Sequence, residues 1–243
     1  MGYKNTFERF EIKFILNLNQ YNEIKNVLYK YMKGDEYGNS TICNVYYDTP
    51  DKLIIRRSLE KPVYKEKLRV RSYGVSDKNN NVFVELKKKY KGIVYKRRTE
   101  MTLQQSELYL GGDINFEKSS QIMNEIDYFI KFYKNIEPSI FISYEREAFF
   151  GKYDDSFRIT FDRNIIWRDY DISLDKGVYG NKLIDENTVL MEVKTSEGIP
   201  LWLLKILSRN HIYKTSFSKY GNAYKYIINN NLKGGTKIAW HNF

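Results

Sequence analysis

The chain has 243 residues, of which 42% are hydrophobic, so it is long enough to bury the core of one large domain or two small ones. Its 40 Lys and Arg exceed its 30 Asp and Glu, and the resulting formal charge of +10 predicts an anionic partner. The single cysteine, Cys43, excludes a disulfide framework, and with only two histidines in the chain a Cys/His zinc site is disfavoured.

The sequence predicts neither a targeting segment nor a boundary between domains. No apolar run approaches the roughly 20 residues that a membrane-spanning helix needs. Charges interrupt the first residues, unlike the apolar segment of a signal peptide. We therefore expect a cytoplasmic protein without a membrane segment, folded as a single domain over residues 1–243. Its core is expected over about residues 7–228, with a frayed tail at 234–243.

The first predicted element is a strand over residues 7–16 with two unlike faces. Arg9, Glu11 and Lys13 lie at alternate positions on one face, and apolar side chains occupy the other. This alternation is repeated in most of the strands that follow.

The rest of the chain predicts further strands separated by amphipathic helices. In chain order these elements are a helix over 19–32 capped by Asn19, a strand over 41–48, a helical turn over 51–57, two strands around a hairpin at 77–81, a strand over 93–101, helices over 103–110 and 118–134, strands over 139–149, 157–167 and 189–195, a helix over 199–209, and a last helix from about residue 216.

The most basic segment is 64–98, which holds twelve Lys and Arg against three Asp and Glu. These charges follow the two-residue period of strands, unlike a continuous charged run. The charged positions on one face of the two central strands are Lys65, Lys67, Arg69, Arg71, Glu85, Lys87 and Lys89.

At least six of about eight predicted strands carry charges on one face, and the helices need apolar surface to cover. The sequence therefore predicts an α+β fold: a closed antiparallel β-barrel tunnel of about eight strands, with a charged interior and helices packed on the outside. A dry, empty tunnel of this kind would be strongly destabilised by repulsion and desolvation, so it must hold water and polyanions. Glu11, Glu85 and Glu192 can hold a divalent cation, and their oxygen ligands suit Mg²⁺ or Mn²⁺.

A solvated strand face is the simpler explanation for any one of these charged residues. Glu85 and Glu192 would then pair with neighbouring lysines, Tyr144 would pack within the sheet, and Ser218 would cap a helix. Recurrence of the same pattern in strands far apart in sequence favours the tunnel.

Nine motifs follow one another along the chain: FERxExK, YYDT, LRVR, VELK, KGxxxKRR, SYER, RITFD, MEVK and SFSKYGNA. In this order they resemble the VTC domain, the catalytic module of polyphosphate polymerases, which belongs to the triphosphate tunnel metalloenzymes or CYTH superfamily. The resemblance covers about residues 7–225. Arg9 stands where broader members of the superfamily have Glu, and this difference favours the VTC branch.

The resemblance, with the charge pattern, assigns expected roles to three sets of residues. The expected catalytic residues, which would hold the phosphate chain, are Lys13, Arg69, Arg71, Lys87, Lys96, Arg146 and Arg158. The expected substrate-binding residues are Arg9, Tyr144, Lys214, Ser218 and Lys219. The expected metal ligands are Glu192, Glu11 and Glu85.

The resemblance implies transfer of the γ-phosphoryl group of ATP to a growing polyphosphate chain or pyrophosphate, with release of ADP and dependence on Mn²⁺ or Mg²⁺. A terminal phosphate acceptor is already largely deprotonated near neutral pH, so no general base is required. One alternative is an inorganic or nucleoside triphosphatase, in which Glu11 or Glu85 would orient water. Another is a non-catalytic binder of polyphosphate or nucleic acid. Because the charges alternate along strands, nucleic acid is not the expected partner.

Overall fold

The computed structural model describes residues 10–114, 120–154 and 156–233. Arg9, the predicted start of a helix at 118 and the tail at 234–243 lie outside these residues. The strands are β1 (Phe10–Asn17), β2 (Met32–Asp48), β3 (Tyr64–Tyr73), β4 (Asn81–Tyr90), β5 (Ile93–Thr102), β6 (Glu137–Gly151), β7 (Arg158–Arg168), β8 (Asn181–Lys182), β9 (Thr188–Thr195) and β10 (Lys214–Thr215). The helices are α1 (Leu18–Tyr31), α2 (Leu53–Leu59), α3 (Leu103–Gly111), α4 (Gln121–Tyr133), α5 (Leu201–Arg209) and α6 (Lys219–Lys233).

One antiparallel sheet contains all the strands just named, in the order β10-β1-β9-β7-β6-β2-β3-β4-β5, with β8 paired to β7. The prediction of a closed barrel is wrong, because within the described residues β5 pairs only with β4 and no strand joins it to β1 or β10. The strand β10 covers only two residues beside Lys13 and Phe14, so it offers too short an edge for closure. The sheet also has ten strands where about eight are predicted.

Side chains span the gap that backbone pairing leaves open. Lys87 on β4 lies 3.1 Å from Glu11 on β1, although five strands separate β1 from β4 in the sheet order. This contact requires a strongly curved sheet whose charged side is concave. We call this side, which carries Glu11 and Lys87, the concave face.

Local sequence explains the first helix boundary, which differs from the predicted one. The cap of α1 is Asn17, not Asn19, because Asn17 and Gln20 form a reciprocal capping box. The helix ends at Tyr31, and β2 then begins nine residues earlier than the predicted strand at 41–48. A register shift between Gly34 and Asn39 interrupts this early part of β2, and the sequence there lacks apolar alternation.

Four helices cover the convex side of the sheet, as predicted. The helices α3 and α4 pack on β2, β3 and β4 through residues such as Phe129, Leu68 and Val84. The helices α1 and α5 pack on β1, β7 and β9 through residues such as Leu28 and Met191. In the part of the chain that the structure describes, no helix has the length and apolar character needed to cross a membrane.

The other two helices, α2 and α6, pack on the concave face, contrary to the expectation that all helices lie outside. Their residues Ile55, Tyr220 and Ala223 join a buried cluster with Tyr46 on β2 and Ile142 on β6. The cause is visible in β6, where the residues of one face run Ile140, Ile142, Tyr144 and then Arg146. One end of the concave face is therefore apolar and filled, and the charged part lies next to it.

Candidate functional site

Charged side chains from β1, β3, β4, β5, β6, β7 and β9 and from the start of α6 converge on the concave face. The cationic members are Lys13, Lys67, Arg69, Arg71, Lys87, Lys96, Arg146, Lys194 and Lys219, and the anionic members are Glu11, Glu85, Asp162 and Glu192. When all are ionised, nine positive charges face four negative ones.

Glu85 is the centre of one half of this network. Its carboxylate is 1% exposed and accepts hydrogen bonds of 2.8 and 2.7 Å from Arg69 Nε and Nη2, while Lys96 forms an ion pair with its other oxygen. Arg71 Nε lies 3.8 Å away. Burial alone would raise the pKa of Glu85, but the three cations outweigh burial and hold the pKa well below its usual value. This carboxylate is therefore anionic throughout the neutral range.

Asp162 is the centre of the other half. It has no solvent exposure and receives two hydrogen bonds from Arg146, from Nε at 2.6 Å and from Nη2 at 2.7 Å. Lys219, in the first turn of α6, donates to the same carboxylate at 2.5 Å. Burial opposes ionisation of Asp162, but Arg146 and Lys219 lower its pKa all the same. Asp162 thus fixes two of the predicted phosphate-binding cations in place.

Glu11 and Glu192 converge on the ammonium group of Lys13. Lys13 Nζ lies 3.3 Å from Glu11 and 3.0 Å from Glu192, and Glu192 also contacts Arg146 and Lys219 at 3.4 and 3.3 Å. The space between these two carboxylates is already one in which a positive charge is stabilised.

The two carboxylates are therefore the part of the site that fits a divalent cation. Glu85 was predicted as a third metal ligand, but no contact within the described residues joins it to Glu11 or Glu192. No group of three His, Cys, Asp or Glu suited to a metal occurs among the residues that the structure describes. A Mg²⁺ or Mn²⁺ ion here would need phosphate oxygens and water for its remaining ligands.

Tyr144 lies between the two halves of the network. Its hydroxyl accepts a 3.0 Å hydrogen bond from Arg71 Nη2, and the ammonium group of Lys219 lies 4.3 Å from the centre of its ring. Asn44 holds the same guanidinium through a 2.9 Å bond from Arg71 Nε, and Tyr46 accepts a bond from Arg69. These neutral side chains orient the arginines without cancelling their charge.

Two lysines on the concave face, Lys67 and Lys194, form no ion pair with a carboxylate among the described residues. Burial, followed by the charges of neighbouring cations such as Lys87, lowers the pKa of Lys67 to about 7. Burial also lowers the pKa of Lys194 to about 7, although Glu192 and Glu11 oppose the change. Burial lowers the pKa of Lys96 to about 8 against the opposing charge of Glu85. These three lysines therefore lose their protons at a lower pH than ordinary lysines do.

Ser218 lies directly before α6 and joins this region. Its hydroxyl oxygen accepts a 3.0 Å hydrogen bond from Lys67 Nζ and a 3.1 Å bond from the backbone N–H of Gly221. A Cβ atom at position 221 would lie 3.2 Å from Ser218, so the glycine allows the close approach of α6 without displacing Ser218. Ser218 can therefore cap α6 and contact a cation of the concave face at the same time.

Two predicted residues lie at other positions: Lys214 is on the opposite side of the sheet, and Arg158 is at the rim of the concave face, across from Lys194 on β9. Lys214 is exposed on β10, and its register partner is Phe14, whose side chain is in the convex-side core. Its side chain therefore lies on the side of the sheet opposite to Lys13. Arg158 lies at the rim, with its guanidinium 3.5 Å from Asp35 and stacked over the ring of Phe150.

The structure adds residues that the sequence-based assignment omitted. Asp162 has the strand phase of a concave-face residue, but a lone acid in the RITFD motif gave no sign that it pairs with Arg146 and Lys219. Lys67 and Lys194 showed the correct alternation, yet alternation did not distinguish them from solvated lysines. Only the three-dimensional contacts identify them.

The chain is similar in sequence to known proteins over most of its length. The profile of the VTC domain matches residues 8–228. Vacuolar transporter chaperone complex subunit 4 of Schizosaccharomyces pombe is 24% identical over 273 aligned positions, which cover 90% of this chain and 37% of that subunit. The chain thus spans little more than a third of the length of this curated relative.

A solved structure supports the fold. The crystal structure of a Bacillus halodurans protein, described as a candidate adenylate cyclase, superposes with a TM-score of 0.56 at 13% identity. The match covers 87% of this chain and 94% of the other. At this level of identity, the similarity concerns the fold alone.

Proposed function

The chain belongs to the VTC domain family, and from this membership and the surplus of positive charge on its concave face we propose that it is a polyphosphate polymerase. In this proposal it transfers the γ-phosphoryl group of ATP to the end of a polyphosphate chain, or to pyrophosphate as the first acceptor, and releases ADP. The proposal covers the domain contained in this chain.

The observation that carries the proposal is the excess of cations over carboxylates in a region where four anions are already paired. Glu85 and Asp162 are held by several cations each, yet Lys67 and Lys194 have no carboxylate partner among the described residues. Bringing like charges together without a counter-ion is costly, and the cost rises when the site is partly desolvated. A linear phosphate chain supplies several negative charges in a row, which matches a row of cations along β3.

The reaction that we propose depends on positioning and charge. Arg146 and Lys219, fixed by Asp162, and Arg69 and Arg71, fixed by Glu85 and Tyr144, would hold phosphate oxygens of donor and acceptor in line. Cations already held in their geometry stabilise charge that develops on the transferred phosphoryl group and need no rearrangement during transfer. The terminal phosphate of the acceptor attacks the γ-phosphorus, and the bond from the γ-phosphorus to the β,γ-bridging oxygen breaks.

A metal ion would bind at Glu192 and Glu11 in this proposal. When bound, Mg²⁺ or Mn²⁺ would neutralise part of the negative charge on the phosphate groups. Lys13 would then move from the space between the two carboxylates towards a phosphate oxygen.

The state of the carboxylates argues against a hydrolase that uses one of them as a base. In Glu11, as in Glu85, burial favours the neutral form, but surrounding cations hold the pKa well below its usual range. A carboxylate with such a low pKa accepts a proton from water poorly. Transfer to an acceptor that is already anionic does not need this step.

The experiment is incubation of the purified protein with ATP and Mn²⁺, followed by separate measurement of long phosphate polymer, ADP and orthophosphate. We expect polymer and ADP in step, with little orthophosphate. Stoichiometric orthophosphate without polymer would reject polymerisation in favour of a triphosphatase. Binding without any turnover, together with equal affinity for polyphosphate and for single-stranded DNA of equal charge, would favour the nucleic-acid-binding alternative.

A further inference from the structure

The ammonium group of Lys67 contacts neutral side chains, whereas most cations of the concave face also contact a carboxylate. Its ammonium group contacts the hydroxyl of Ser218 at 3.0 Å and lies 5.9 Å from the centre of the Tyr220 ring. Among the described residues no carboxylate forms an ion pair with it, whereas Arg69, two residues further along β3, holds Glu85 at 2.7 Å.

Every charged group that acts strongly on Lys67 is positive. Lys65 and Arg69 act from its own strand, Lys87 from β4 and Lys13 from β1. Among the described residues, its neighbours near α6 are Ser218, directly before that helix, and Tyr220 within it. The carboxylates that pair with Arg69, Lys87 and Lys13 are directed to those partners. The position of Lys67 therefore has positive charge on several sides and, within the described part of the chain, no carboxylate paired with it.

The hydroxyl of Ser218 can donate a hydrogen bond to an anion that binds beside Lys67. Its two lone pairs accept from Lys67 and from the N–H of Gly221, so its hydrogen is left for a further acceptor. Among the described residues, no carboxylate accepts a hydrogen bond from this hydroxyl. A donor and a cation thus lie side by side, and both lack a negative partner.

We propose that Lys67 and the hydroxyl of Ser218 form a further phosphate subsite on the concave face, and that Lys67 takes up a proton from solution when a phosphate group enters it. This inference rests on the proposed function, since it concerns the same substrate. It goes beyond it by adding Lys67 to the substrate contacts and by coupling binding to protonation. The burial and neighbouring cations that lower the pKa of Lys67 to about 7 are offset once a phosphate dianion lies beside it.

The test is calorimetric titration of the whole chain with tripolyphosphate, without metal, at pH 8 in two buffers of different ionisation enthalpy. The buffer dependence of the heat gives the number of protons taken up per ligand bound. The variants are Lys67→Arg, which stays charged, and Lys67→Met. The matched control is Lys205→Met, on the exposed side of α5.

We expect Lys67→Arg to bind tripolyphosphate while taking up close to one proton fewer than the unaltered protein. Lys67→Met should bind roughly tenfold more weakly, because a charge-assisted hydrogen bond is lost. Lys205→Met should change neither quantity. Proton uptake by Lys67→Arg equal to that of the unaltered protein would overturn the proposal, and so would unchanged affinity in a folded Lys67→Met variant.

The same titration separates this inference from the proposed function. If the unaltered protein binds tripolyphosphate with the expected proton uptake but forms no polymer from ATP, only the polymerase proposal fails. If the unaltered protein does not bind tripolyphosphate, the proposed subsite at Lys67 and Ser218 is rejected.

Discussion

Arg146 donates two nearly parallel hydrogen bonds to Asp162, of 2.6 and 2.7 Å, and Asp162 is completely buried. Lys219 completes the group from the start of α6. One carboxylate therefore fixes cations from a strand and from a helix that lies 57 residues further along the chain. We expect the substrate to contact the free edges of these two cations.

The first prediction concerns Asp162→Asn. Removing this buried negative charge leaves Arg146 and Lys219 with less compensation, and the expected loss is about 3 kcal/mol of the free energy of unfolding. Tripolyphosphate should restore more of the lost stability in this variant than it adds to the unaltered protein. Thermal denaturation with and without tripolyphosphate measures both effects. Asp169→Asn, at an exposed position, is the control, and equal loss of stability in the two variants would contradict the assignment.

The second prediction separates the structural and binding roles of Arg69. Removing one cation from a basic lining reduces repulsion and by itself would stabilise the fold. Arg69, however, is a hydrogen-bond partner of the buried Glu85, so its removal should destabilise the fold. We expect Arg69→Ala to lower both turnover and the free energy of unfolding, the latter by about 2 kcal/mol or more. The double variant Arg69→Ala/Glu85→Gln should recover most of the stability and none of the turnover.

Chemical denaturation and the ATP-to-polymer assay together measure these quantities. If the double variant recovers turnover along with stability, Arg69 serves only to pair with Glu85. If Arg69→Ala alone keeps full stability, the Glu85 network contributes nothing to folding.

The third prediction concerns the pH dependence of stability. Because burial and neighbouring cations lower the pKa of Lys67 to about 7 in the folded protein, the unfolded chain binds more protons at this residue between about pH 7 and pH 10. Its contribution to stability therefore rises with pH across that window. Lys13, whose pKa is raised because Glu192 and Glu11 outweigh burial, stays charged in both states there.

Melting temperatures at pH 7 and pH 9 in low salt, compared between the unaltered protein and Lys67→Met, measure this effect. The increase between the two pH values should be smaller in the variant. Identical increases would show that Lys67 keeps an ordinary pKa in the folded protein.

The fourth prediction concerns Glu192→Gln. If Glu192 and Glu11 hold the metal, this variant should need at least tenfold more Mn²⁺ for half-maximal turnover, while metal-free binding of tripolyphosphate stays equal or becomes tighter. The second effect follows because one negative charge leaves a site that binds a polyanion. Glu186→Gln, whose partner Lys182 is exposed, is the control. An unchanged Mn²⁺ requirement in Glu192→Gln would exclude this carboxylate as a metal ligand.

Much of the site could be predicted because strand alternation is a local property. Arg69 and Arg71, or Glu192 and Lys194, share a face whatever the rest of the chain does, since side chains two positions apart in a strand point the same way. The errors arose where local pattern carries no information about distant partners. Lys214 is positively charged and close in sequence to the SFSKYGNA motif, so it was predicted to bind substrate. Its pairing with Phe14, however, places its side chain on the other side of the sheet.

Closure of the sheet was also beyond the reach of local pattern. Whether the two ends of a curved sheet pair through their backbones depends on how far the edge strands extend, and β10 has only two residues. The contact of Lys87 with Glu11 instead joins the sides of the opening through side chains. The placement of α2 and α6 on the concave face depends in the same way on packing between distant segments.

The sequence by itself determined the elements, the two-faced character of the strands and the excess of positive charge, because these depend on residue type and on neighbours one or two positions away. The tertiary structure alone decided which carboxylate compensates which cation and which cations are left without one. Ion pairing depends on contacts over a few ångströms between residues that are far apart in the chain. Lys67 and Arg69 are neighbours in the same alternating pattern, and only folding gives Glu85 to one and Ser218 to the other.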